Sequence, residues 1–160
     1  MKRFFTFCIV LLFLPIVSFA SESMPEFTIG EFAYSAPSDW QFAADGAMQT
    51  HIGSTAVVRM RLVEVTQTPV SSESEANDLI ALGLNAIAAD AEIEYFTVNN
   101  LFAGAISFPA EVNGATFQYC YVATVYNTHA LLYQFYFLDA STDAVPELFY
   151  QILSTIHVPT

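Results

Sequence analysis

Arg59 and Arg61 are the residues whose type and spacing carry the most chemistry in this sequence. They lie two positions apart in the run Thr55 to Val65, whose alternation with apolar residues predicts a strand. Both side chains therefore point to one face of that strand. Two guanidinium groups on one face can hold an anion or a carboxylate of a partner. The alternative is that each pairs with an acidic residue on a neighbouring strand.

The other residue types that could do chemistry are dispersed. His51, His129 and His157 stand on separate segments without a close ligand partner, so no zinc site is expected. Glu92 and Glu94 share one strand face, as paired catalytic acids would, but a solvated strand edge explains them more simply. The remaining acidic pairs match no calcium-binding loop and no EF-hand spacing: Asp139 with Asp143, and Glu73 with Glu75.

Motifs of nucleophilic catalysis are missing as well. The sequence has no Gly-x-Ser-x-Gly elbow and no glycine-rich phosphate loop. Cys120 lies in a strand-like run without basic neighbours, where a free cysteine behaves as a small buried apolar residue. We therefore expect a protein that is not an enzyme and that needs no cofactor.

Residues 1–20 have the pattern of a secretory signal peptide. Lys2 and Arg3 precede an apolar run from Phe4 to Val17, and Ser18-Phe19-Ala20 forms a small-x-small cleavage site. The apolar run is shorter than the roughly 20 residues of a spanning helix. Ser21 follows the expected cut, where a lipoprotein would have cysteine. We expect export to the periplasm or the outside of the cell, with no membrane span and no lipid anchor.

The charge of the exported part excludes whole classes of partner. It would keep two arginines and no lysine against sixteen acidic residues, which is a net charge of −14. Nucleic acids and anionic membranes are bound through Lys and Arg, so neither is an expected partner. A negative field favours cationic ligands, divalent ions or a basic protein, and also simple solvation.

The elements that must position these residues follow from periodicity. We predict strands in the order βββ-α-ββββ-α, with short turns at Gly53-Ser54, Asn99-Asn100, Asn113-Gly114 and Asn127-Thr128-His129. The predicted strands are Phe27–Tyr34, Gly46–Ile52, Thr55–Val65, Glu92–Val98, Leu101–Phe108, Ala115–Tyr126 and Ala130–Leu138. Pro109 should end its strand or mark a bulge. The aromatic residues that alternate along the last two strands are assigned to the core.

Two amphipathic helices complete this layout. The first begins at the capping box of Ser72 and Glu75, and Gly83 within its apolar stripe would let the helix backbone approach a sheet. The second covers Asp143 to Ile156 with Pro146 in its first turn. Residues 21–160 should therefore form a single α+β domain, an α/β/α sandwich with a mainly antiparallel sheet.

The segment Phe32 to Trp40, FAYSAPSDW, resembles the aromatic-x-x-Pro-x-x-Trp entry segment of PsbP-like and DcrB-like exported proteins. The closing strand from Leu131 and the helix that ends at Ile156 are similar too. The resemblance implies an antiparallel sheet between helices and a role in binding or assembly. Pro37 and Trp40 resemble positions that form the fold, so no functional residue is transferred.

These observations favour an exported, non-catalytic binding or accessory module whose partner is an envelope or secreted protein. The alternative is a protein that binds a small ligand or a divalent cation in a pocket at the sheet edge near Arg59, Arg61 and Trp40. A hydrolase without a local motif is the least favoured class.

Overall fold

The computed structural model describes residues 24–139 and 144–160, which form nine strands and two helices. The expected signal peptide lies outside these residues. The strands are β1 (Glu26–Ile29), β2 (Phe32–Ser35), β3 (Gln41–Asp45), β4 (Met48–Ile52), β5 (Ala56–Glu64), β6 (Glu94–Val98), β7 (Leu101–Val112), β8 (Ala115–Tyr126) and β9 (His129–Leu138); the helices are α1 (Glu73–Asn85) and α2 (Ala144–Thr155). Neither helix is long and apolar enough to cross a bilayer.

Seven strands form one antiparallel sheet in the order β3-β4-β5-β9-β8-β7-β6, and β1 pairs with β2 in a separate hairpin. The predicted α+β class, with an antiparallel sheet and two helices, is confirmed. The asparagine turns are confirmed as well, because Asn99, Asn100, Asn113 and Asn127 all have positive φ. Helix α2 begins at Ala144, and the predicted start at Asp143 lies outside the described residues.

The first part of the chain is divided more finely than predicted. The predicted strand Phe27–Tyr34 is a hairpin, since Gly30 with φ 58° turns the chain between β1 and β2. The predicted strand start at Gly46 is also a turn, with φ 56°, and it joins β4 to the additional edge strand β3. Two glycines in the left-handed region therefore make hairpin turns at positions that were assigned to strands, Gly30 inside one and Gly46 at the start of another.

The predicted end of a strand at Pro109 is wrong. Strand β7 continues through Pro109 to Val112, and Pro109 lies opposite Gln118 in an unbroken register with β8. The outer neighbour β6 pairs only with residues 101–105 of β7. Pro109 thus lies where the outer edge of β7 is open, and a missing N–H is tolerated at such an edge.

The core has two parts, one on each face of the sheet. On the α2 face, Tyr133, Phe135 and their neighbours pack against α2 and the β1–β2 hairpin. The Tyr133 hydroxyl donates to the Phe149 carbonyl at 3.2 Å, and the two rings stack at 5.2 Å. On the opposite face, here called the α1 face, α1 packs chiefly on β7 and β8. The layer of helices on that face is therefore incomplete among the described residues.

Helix α1 lies close to the sheet because of a glycine on the strand. The predicted cap is confirmed: the Glu75 N–H donates to Ser72 Oγ, and the Glu75 carboxylate accepts from the Ser71 N–H. The proposed role of Gly83 is wrong, because it is exposed and a Cβ there would meet nothing within 4 Å. A Cβ on Gly104 of β7 would instead lie 2.5 Å from Ile80 Cγ2.

Hydrogen bonds around the buried Tyr34 and His51 side chains attach the β1–β2 hairpin to the sheet. Tyr34 Oη donates to Gln49 Oε1 at 2.6 Å, and Gln49 Nε2 donates to the Thr28 carbonyl at 2.7 Å. The one hydroxyl proton of Tyr34 is thus used, so His51 Nε2 donates to Tyr34 Oη at 2.7 Å. His51 Nδ1 has no hydrogen-bond partner among the described residues, and burial lowers the pKa of His51 from 6.5 to about 4.

Two glycine-to-alanine substitutions should change stability in opposite directions. Gly104→Ala should lower the free energy of unfolding by about 1 to 3 kcal/mol, since its methyl group overlaps the buried Ile80 side chain. Gly83→Ala should raise it by about 0.5 to 1 kcal/mol, because it faces open space in a helix. Urea denaturation of both variants tests this pair. A neutral Gly104→Ala would show that α1 can move away from the sheet without cost.

Acid should destabilise the protein through His51. Its pKa is lower in the folded chain, so between pH 6.5 and 4 the unfolded chain binds a proton that the folded chain does not. Stability from this group is complete above pH 6.5 and is lost as pH falls to about 4, by up to roughly 3 kcal/mol. His51→Phe should remove that part of the slope while Tyr34 keeps its bond to Gln49. Urea denaturation from pH 4 to 8 gives the free energy of unfolding of both proteins at each pH. If that free energy falls equally with pH in both, His51 is not the cause of the acid sensitivity.

Candidate functional site: the open face

The part of the α1 face that α1 leaves uncovered is the candidate site, and we call it the open face. The cross-strand register places its side chains on one side of β4, β5, β9, β8 and β7. It consists of Ile52, Val57, Arg59, Arg61, Phe108, Val112, Phe117, Tyr119, Tyr121, Gln134, Tyr136 and Leu138. Three of its apolar side chains are well exposed, Ile52 at 45%, Val112 at 42% and Leu138 at 41%. A contiguous apolar surface of this kind marks an interaction site.

Four aromatic rings form a row across the middle of the open face. Phe108, Tyr119 and Tyr136 lie directly opposite one another on three adjacent strands, and Tyr121 follows Tyr119 on β8. Neighbouring ring centroids are 5.3 to 6.4 Å apart, and the planes differ by only 11 to 21°. All four rings are half-buried. Because these rings are already packed against one another, a partner that binds them would not lose free energy in ordering them.

Arg59 lies at the end of this row, in contact with the Tyr136 ring. Its guanidinium carbon lies 5.5 Å from the centroid of the Tyr136 ring, a cation–π contact worth about 0.5 to 1 kcal/mol at an exposed site. Its cross-strand neighbour Gln134 donates from Nε2 to Tyr121 Oη at 3.0 Å. Burial is the main reason that the pKa of Tyr121 is raised. The Tyr121 hydroxyl therefore stays neutral and adds no negative charge to the face.

Neither arginine of the open face is in an ion pair within residues 24–139 and 144–160. The ion pairs there involve His129 with Glu31 and His157 with Glu26. The alternative in which neighbouring strands neutralise the arginines is thus not realised in this part of the chain. Strand register puts a single acidic residue on the strands of the α1 face, Asp45 on the edge strand β3. The open face is therefore neutral to positive on an acidic protein.

Trp40 is not brought to the two arginines. It packs against the core of the α2 face, and a Cβ on Gly53 would lie 2.4 Å from its Cε2 atom. The predicted grouping of Arg59, Arg61 and Trp40 at one pocket is therefore not formed, although Arg59 and Arg61 do share a face. A binding role for each of the three residues stays a prediction.

The aromatic row is the part of the site that sequence analysis missed. The alternating aromatics of β8 and β9 were assigned to the core, which is correct for Tyr133 and Phe135 but not for Tyr119 and Tyr136. Alternation separates the two sets of residues within each strand. Alternation alone does not show which of the two sets packs against a helix. The strand register and the position of α1 decide this.

The remaining reactive side chains do not form a site in the described residues. No group of three or more His, Cys, Asp or Glu residues there could hold a metal ion. Cys120 is partly buried among apolar residues of the α2 face, and burial raises its pKa from 9.0 to about 11. A thiol with that pKa is a poor nucleophile at neutral pH.

The sequence matches no protein-family model and no curated protein, whereas several solved structures have the same fold. A protein from Bacteroides thetaiotaomicron VPI-5482 superposes with a TM-score of 0.62 at 15% identity over 88% of this chain; the match spans 50% of that longer protein. The solution structure of cyanobacterial PsbP, CyanoP, from Synechocystis sp. PCC 6803 gives 0.60 at 12% identity, over 93% of this chain and 99% of that one. The Ran-binding protein Mog1p of Saccharomyces cerevisiae gives 0.55 at 10% identity, over 85% and 96%. The resemblance noted at residues 32–40 is confirmed at the level of architecture: this chain has the PsbP-like fold.

Proposed function

We propose that this chain is an exported, non-catalytic accessory domain that binds an envelope or secreted protein through its open face. The observation that carries the proposal is the composition of that face. It combines exposed aliphatic side chains, the aromatic row and two arginines that form no ion pair with any carboxylate of the described residues. Tyrosine and arginine are enriched in protein interfaces and at their energetic centres, whereas Lys, Glu and Asp are depleted there.

Other features agree with this proposal. The pattern of residues 1–20 supports export. Mog1p, which has the same fold, is described as a Ran-binding protein, so the fold can serve protein recognition. Its low identity means that no binding residue is transferred from it. The lack of catalytic motifs in the sequence and the raised pKa of Cys120 support a role without chemistry.

Placing charge on the open face should abolish partner binding without unfolding the protein. In the double variant Ile52→Glu with Leu138→Glu, two exposed aliphatic side chains of the open face become carboxylates, and a buried carboxylate at an interface is costly. Crosslinking in the native envelope or medium, followed by mass spectrometry, should recover a recurrent partner with the unaltered protein. The variant should recover it at least tenfold less.

Leu82→Glu is the matched control. Leu82 is 72% exposed on α1 and lies outside the open face, so partner recovery should not change. Each surface substitution should alter the free energy of unfolding by about 0.5 kcal/mol or less. Equal recovery by the double variant, or self-links alone in the unaltered protein, would refute the proposal.

A further inference from the structure

The three strands under the middle of the open face, β5, β9 and β8, cannot offer backbone hydrogen bonds to a partner. Strand β5 is paired with β4 and β9, β9 with β5 and β8, and β8 with β9 and β7. An extended segment laid on this face would therefore lose water from its own N–H and C=O groups and find no replacement. A helix satisfies its backbone internally, so it can lie on an apolar sheet face without that cost.

One further helix would fit on the open face beside α1. Helix α1 lies over β7 and β8 on the same side of the sheet. Packed helices are roughly 8 to 10 Å apart, and two strand spacings are about 9.5 Å. A helix beside α1 would thus lie over β9 and β5, where Gln134, Tyr136 and Arg59 are located.

Charge and spacing then specify the polar side of this helix. Arg59 and Arg61 are two residues apart on β5, so their Cα atoms are about 6.7 Å apart along the strand. Residues four apart on a helix are separated by about 6 Å along its axis. A helix parallel to β5 therefore presents two carboxylates to the two guanidinium groups when Asp or Glu occurs at positions i and i+4.

A second copy of this chain fits the face less well. Each exported copy carries a net charge of −14, so two copies repel one another. A two-fold symmetric contact centred on the arginines would also bring Arg59 and Arg61 of one copy towards the same arginines of the other. A different protein with acidic residues confined to one side of a helix avoids both problems.

We infer that the open face binds an amphipathic helix of the partner protein, with aliphatic residues against Tyr136 and its neighbour Tyr119 and an acidic pair four residues apart on Arg59 and Arg61. This inference rests on the proposed function and adds the kind of partner segment to it. The bound helix would complete the helical layer that α1 begins on this face.

Selection from a displayed library of random 20-residue peptides tests the inference. The bait is the protein recovered after export, and binders that also bind the double variant Ile52→Glu with Leu138→Glu are discarded. Enriched peptides should have apolar residues at i, i+3, i+4 and i+7 and an Asp or Glu pair four residues apart. One enriched peptide, labelled with fluorescein, gives the Kd by fluorescence anisotropy.

Charge reversal supplies the decisive comparison. Arg59→Glu with Arg61→Glu should weaken binding of that peptide at least tenfold, and the same peptide with a Lys pair should bind the reversed protein better than the original one. If the reversed protein does not fold, Arg59→Gln with Arg61→Gln should still weaken binding several-fold. Circular dichroism of each variant verifies the fold.

The possible failures can be told apart. Enriched peptides that alternate with period two, or helical peptides insensitive to charge reversal, would overturn the inference and leave the proposed function standing. If selection gives no peptide whose binding depends on the open face and crosslinking recovers no partner, both the inferred helix-binding role and the proposed function are refuted.

Discussion

The register between β8 and β9 is the constraint on which the rest of this structure depends. It sets Tyr119 opposite Tyr136 on one face and Cys120 opposite Phe135 on the other. Because side chains alternate with a period of two, a slip of one residue would move each of these sets to the wrong side of the sheet. The core under α2 and the exposed aromatic row are therefore two results of one pairing.

The two faces of the sheet are covered to different extents. On the α2 face, a helix and the β1–β2 hairpin enclose the largest side chains, and the hairpin is held by the hydrogen bonds of Tyr34, Gln49 and His51. On the α1 face, one helix covers part of β7 and β8, and the four rings of the aromatic row remain partly exposed. The binding surface proposed for this protein is thus the place where the sandwich is incomplete.

Much of this fold could be predicted from the sequence because its signals are local. The cap at Ser72, the asparagine turns and the alternation along β8 each depend on a few neighbouring residues. What could not be predicted depends on contacts between distant segments. Gly104 and Gly83 are both glycines near an expected helix–sheet contact, and only the packing of Ile80 shows which of them allows it. The same holds for the site. The two arginines were identified from their spacing, whereas the aromatic row depends on the strand register and on the position of α1. The packing of Trp40 on the opposite face from the arginines also depends on contacts between distant segments.

The strand order also has a consequence for how the chain folds. Strands β6 to β9 form a meander of consecutive hairpins, so their contacts are close in sequence. Strand β5, in contrast, pairs with β9, and Glu64 lies opposite His129 across 65 positions of chain. Contacts that close such a long loop form slowly. The segment from β1 to β5 can therefore join the large sheet only once the last strand is available, which leaves its apolar residues exposed to solvent during most of the folding process.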